Sequence, residues 1–106
     1  MITEEEVNKA MQWLVSNADK AAEARANRLY LEDFSRVLKA EVMSEHLDEA
    51  VNAQQRYADA DARYKTHLLG LKVAIAVDER YKWLKETALT RIEIWRTHCS
   101  NMRGIK

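Results

Sequence analysis

Three histidines and one cysteine are the side chains best able to do chemistry in this chain, and their spacing limits what that chemistry could be. His46, His67 and His98 belong to no His-Glu-x-x-His pattern, which sets two imidazoles one helical turn apart on a zinc ion. A carboxylate-bridged di-iron site in a helical bundle needs Glu-x-x-His pairs, but the residues three before these histidines are Met43, Tyr64 and Trp95. Glu45, His46 and Glu49 fall close together and could hold a surface metal ion. The same residues also make an acidic helix start, where the dipole favours negative charge. His98 adjoins Cys99, but neighbours on a helix point ~100° apart and cannot easily share an ion. Cys99 lies on an apolar stripe, which makes it a small core residue rather than a nucleophile. The glycine clusters that cradle phosphates are absent. The chemistry therefore predicts no catalytic residue, no metal, no cofactor and no enzyme.

The cations offer a second kind of chemistry. Formal net charge is zero, yet Met1 to Asp61 holds 7 Lys/Arg against 13 Asp/Glu, and Ala62 to Lys106 holds 10 against 4. Such a basic half could contact phosphates. Lys82, Lys85, Arg96 and Arg103 follow one flank of the apolar stripe and are the candidate nucleic-acid residues. Asp78, Glu86 and Glu93 share that exposed face, however. Asp78–Lys82, Lys82–Glu86 and Glu93–Arg96 have the spacing of ordinary helical ion pairs. A face of mixed sign suits nucleic acid poorly, and an acidic helical segment packed antiparallel on a basic one, within one chain or between two, is the preferred reading of the polarity.

The elements that must position these residues are helices. The 106 residues include no proline and two glycines, where an ordinary chain of this length would carry roughly five and seven. Turn-rich sheets need such residues, and the abundance of Ala, Glu, Lys, Leu and Arg is that of long helices or a coiled coil. Thr3 with Glu6 makes a capping box, followed by a short helix over 4–15. The Ser16-Asn17-Ala18-Asp19 cluster suggests a break and a second helix over 18–43. Ser44 and its acidic followers suggest a third helix over 45–101, with Gly70 as a possible break. Its stripe reads Tyr64, Leu68, Leu71, Ile75, then Tyr81, Leu84, Ala88, Ile92, Trp95, Cys99 and Met102. The expected fold is a single all-α domain, 1–106: a long helical hairpin or three-helix bundle completed by oligomerisation. One free cysteine suits the cytoplasm, the acidic Met1 to Lys9 is unlike a secretory leader, and no apolar run reaches the ~20 residues that a membrane span needs.

Two long helices cover only a narrow seam, and Trp83 and Ile94 lie away from the stripe. Exposed large apolar residues in a patch mark a partner surface. Trp83, Arg91, Ile94 and Trp95 are the candidate partner-binding residues, because Trp and Arg are enriched where binding energy concentrates. The partners expected are a second copy of the chain, as a homodimer or higher oligomer, and another protein; nucleic acid is the alternative.

The tail Ile92-Glu93-Ile94-Trp95-Arg96-Thr97, followed by Ser100-Asn101-Met102-Arg103-Gly104, resembles the end of small, all-helical proteins of tailed bacteriophages that close on a Glu-x-Trp-Arg…Asn-x-Arg pattern. The resemblance implies an accessory protein acting in the infected cell, in recombination, replication or inhibition of host defence. It carries over no catalytic residue.

Overall fold

The computed structural model describes residues 1–104 and is all-α, with no strand among them. Helix α1 runs Glu4–Ser44, α2 Val51–Ala60 and α3 Ala62–Gly104. No helix among the described residues is long and apolar enough to cross a membrane. Contacts divide the chain, expected to be a single domain, into two compact units: residues 1–23 with 79–104, and residues 24–78.

The start of α1 is built as its sequence requires. Thr3 N–H donates to Glu6 Oε2 and Glu6 N–H to Thr3 Oγ1, both at 3.2 Å, satisfying two donors that a helix start leaves open. The expected break at 16–18 does not occur. Asn17 turns its side-chain amide back to the Trp13 carbonyl at 3.0 Å instead of capping a new helix. Ser44 likewise donates to the Glu41 carbonyl, at 2.6 Å, and closes α1 rather than opening the next helix.

The third helix does not begin at residue 45. Glu45 N–H and His46 N–H reach back three residues to Val42 and Met43 carbonyls, and Glu49 N–H reaches His46, so the chain turns through 45–49. Asp61 then separates α2 from α3. Its backbone is extended (φ −65°, ψ 136°). Its carboxylate accepts the Arg63 N–H at 2.8 Å, and its carbonyl accepts the Lys65 N–H at 3.1 Å. Asp61 is therefore the N-cap of α3. Gly70 does not break α3. It has no positive φ, and a Cβ added there would meet nothing within 4 Å.

Burial along both long helices follows a strict seven-residue repeat, the signature of a coiled-coil seam. On α1 the repeat is covered throughout, at Val7, Ala10, Leu14, Asn17, Ala21, Ala24, Arg28, Leu31, Ser35, Leu38 and Val42, with Trp13, Phe34, Lys39 and Met43 half-buried beside it. On α3 the repeat is covered at Tyr64, His67, Leu71, Ala74, Asp78, Tyr81, Ala88, Ile92, Trp95 and Cys99 and exposed at Lys85, with Glu79, Lys82 and His98 half-buried beside it. This differs from the stripe expected from sequence. Leu68, Ile75, Leu84 and Met102 of that stripe are 41%, 37%, 41% and 55% exposed. Both series alternate steps of three and four; the covered one takes His67, Ala74 and Asp78 where the expected one takes Leu68 and Ile75, so the seam lies on the smaller and more polar side of the shared Tyr64–Leu71 row.

The unit of residues 1–23 and 79–104 buries Val7, Ala10 and Ala88, and Trp13 meets Tyr81 with ring centroids 6.5 Å apart. The unit of residues 24–78 buries Leu38, Val42, Ala58, Ala74 and Asp78. Its two long segments run antiparallel: Arg28 reaches Asp78, and Ser35 reaches His67. Asp78, expected on an exposed face, is only 2% exposed. Arg28 Nε lies 3.0 Å from its Oδ2 and 3.7 Å from Glu32 Oε1. The N–H is not aimed at Oδ2, so that contact is coulombic more than a directed hydrogen bond.

Two stability measurements follow. Gly70→Ala is expected to raise the unfolding free energy by about 0.5–1 kcal/mol, since alanine is the better helix former and the site is open; urea titration checks it. Asp78→Ala is expected to cost about 3 kcal/mol by leaving the Arg28 guanidinium covered without its nearer carboxylate, while a paired Arg28→Leu and Asp78→Leu variant regains most of that loss; urea titration checks both.

Candidate functional site

Three places on the molecule gather side chains of chemical interest. The first lies in the seam of residues 24–78. Ser35 Oγ is 2.7 Å from His67 Nε2 and also donates to the Leu31 carbonyl at 3.3 Å. Phe34 and Tyr64 flank the imidazole, with centroids at 5.6 and 6.4 Å. An open groove of about 450 Å³ beside it is lined by Ser35, Arg36, Lys39 and Tyr64 among others. Lys39 spans this groove's rim, 2.9 Å from Asp59 and 4.7 Å from the Tyr64 ring centre; its ammonium is held above its usual range, chiefly by Asp59. A serine beside a histidine is the start of a nucleophile–base pair. Acyl transfer also needs free N–H donors at the oxyanion. Here Ser35 sits inside a continuous helix whose N–H groups are committed to that helix, so the pair reads as a polar layer that fixes seam alignment.

The second place is the connection around α2. Arg63 reaches Glu45 at 3.0 and 2.6 Å and Asp61 at 3.0 Å, so one guanidinium ties α3 to the turn after α1. His46, expected among metal-binding candidates, instead stacks on Tyr57 at 3.9 Å and 4° between planes. Among the described residues no group of three or more His, Cys, Asp or Glu side chains gathers as a metal site would require. Hydrogen bonds from Arg63 hold both the Glu45 and the Asp61 carboxyls below their ordinary values of 4.5 and 3.8. Depressed native values stabilise the fold above the unfolded values, and that stabilisation is lost as pH falls through the native ones. Arg63→Gln should therefore lower stability at neutral pH, and its deficit against the unaltered chain should shrink as pH drops below about 4. Denaturant midpoints measured between pH 7 and pH 3 check this.

The third place is the surface of α3 within residues 79–104, and it holds all eight candidate residues taken from sequence. Trp83 and Ile94 point away from the seam and are 68% and 50% exposed. Arg91 is exposed on the flank between seam and outer face. Trp95 does not join them. It is half-buried on the seam side, 6.3 Å from the His98 ring, and lines an open groove of about 440 Å³ with Arg96 and Arg103. Lys82 and Arg96 stand close to acids: Lys82 Nζ is 3.4 Å from Glu79, and Arg96 Nη1 is 3.5 Å from Glu93. Lys85 is exposed at a seam position, and Arg103 complements the dipole in the last turn.

A feature absent from the sequence reading completes this surface. Trp83, Thr87, Thr90, Ile94, Thr97 and Asn101 recur at steps of four and three along the outer side of α3, all exposed and all uncharged. The matching outer positions of α1 in the same unit are Glu5, Lys9, Gln12, Ser16, Asp19 and Glu23. One outer face carries four charges, and the other carries none and holds two large apolar side chains. Reading the helix wheel at seven-residue period rather than for its main stripe alone exposes the contrast.

No protein-family model, no curated protein and no solved structure matches the chain.

Proposed function

We propose that this protein acts by contact rather than by turnover, as a helical accessory module whose outer α3 face meets another polypeptide chain. One observation carries the reading: Trp83, a residue type concentrated at binding hot spots, stands 68% exposed in a charge-free stripe. Scattered apolar residues on a surface are ordinary; here Trp83 and Ile94 stand in one uncharged row at helical spacing, the kind of face that a partner helix covers. Arg91 borders the same row and can pair with an acid at its rim. The resemblance of the tail to small helical phage proteins supports a setting in the infected bacterial cytoplasm and a phage or host partner that handles DNA, in recombination, replication or host defence. The nucleic-acid alternative is less supported, because Glu79 and Glu93 stand against Lys82 and Arg96 and give the basic flank mixed sign.

A photo-crosslinking residue placed at position 83 is expected to capture a polypeptide in lysate of an infected host, and the same residue at position 16 is not. Equal capture, or none at either position, overturns the reading. Duplex DNA titrated with the protein at low salt is expected to show no shift, since phosphate contacts would be strongest there.

A further inference from the structure

Building on that contact reading, we propose that the occupant of the outer face is a second copy of this chain, with the two α3 helices parallel and in register over residues 83–97. Trp83, Thr87, Thr90, Ile94 and Thr97 alternate by four and three, which is the spacing that lets side chains of one helix fill gaps in another. In a parallel, in-register pair each of these residues meets its own equivalent. The threonines suit such a seam. Thr87 Oγ1 donates to its own helix at the Trp83 carbonyl, 2.9 Å away, so its hydroxyl is satisfied and its methyl remains for packing.

Orientation follows from the charges beside the stripe. One flank carries Glu79, Glu86 and Glu93, one acid per seven residues; the other carries Leu84, Arg91 and His98. A parallel pair sets the first flank of one helix against the second flank of the other, five residues further along. Glu86 then faces the partner's Arg91, and Glu93 faces the partner's His98. An antiparallel pair sets acid row against acid row. Among the described residues Glu86 and Arg91 have no ion pair within the chain, so both are available for this role. Flanking charges of this kind set partner choice and direction more than they set strength. The seam is short, so the dimer is weak and depends on concentration.

Paired cysteines test the arrangement. In a Cys99→Ser background, Thr87→Cys and Thr97→Cys are made as two separate single variants and oxidised after sedimentation has been recorded. A parallel, in-register pair links both variants as disulfide dimers, because every level of the stripe meets itself. An antiparallel pair has one level on its twofold axis and links at most one of them. A monomer links neither. The expected result is two linked dimers, with helix content unchanged by circular dichroism. One linked variant, or none, overturns the proposal. In addition, Glu86→Arg is expected to weaken self-association about fivefold, and adding Arg91→Glu to restore it; a double variant as weak as the single overturns the orientation. Failure here remains separate from failure of the contact reading: a chain that sediments as a monomer while position 83 still captures a foreign polypeptide defeats the second copy and leaves the contact surface standing.

Discussion

A covered charge controls the geometry of this protein. Asp78 lies almost wholly out of water in the seam, with Arg28 against it. Removing two such ions from solvent costs several kcal/mol, and the attraction between them offsets that cost only when they meet. The pair therefore contributes little net stability and much selectivity. Moved one seven-residue step along α3, Arg28 would face Leu71 or Lys85, an alkyl chain in one case and a second cation in the other. Ser35 and His67 impose a similar condition further along the same unit, since a slip would leave the hydroxyl against an alanine and the imidazole against Val42 or the Arg28 cation. Small seam residues complete the arrangement. Ala58, Ala74 and Val42 let backbones come close but bury little area each, so alignment rests on polar layers more than on bulk.

Helical content was legible in the sequence because composition reports it directly: without proline and almost without glycine, the chain has few means of turning. The capping box was legible because both of its partners lie within four residues. Of the breaks, the end of a helix near residue 44 was legible; the unbroken chain at 16–18 and the break at Asp61 were not. Asn17 and Ser44 are residue types that cap helices or bond back into them, and which they do depends on a choice between two local hydrogen bonds of similar strength. Asp61 carried the opposite ambiguity. It is a sound cap, but in an alanine-rich run nothing distinguished it from a solvated helical acid until Arg63 was seen to close on it. Asp78 was misplaced for a different reason. Polar residues are assigned outward by default, and the partner that covers this one lies fifty residues earlier in the chain.

The candidate surface was legible in part. Trp83 and Ile94 stood out as large side chains off the main stripe, and both are exposed. The threonines between them carried no such signal, because threonine is ordinary on any surface; they gain meaning only from the charged outer face of α1 in the same unit. Trp95 and Trp83 also show that an aromatic residue is not a surface by itself. They sit twelve residues apart on one helix, yet one is half-covered by the seam and the other stands clear of it.

The distribution of tryptophan has an optical consequence. Trp13, Trp83 and Trp95 are the chain's three indoles, and all belong to the unit of residues 1–23 and 79–104. Emission excited selectively at indole wavelengths therefore reports on that unit alone, whereas backbone ellipticity reports on every helical turn. Coincident melting by the two signals would mean that the units open as one cooperative body; separate transitions would show that α1 and α3 can lose order at one end while keeping it at the other.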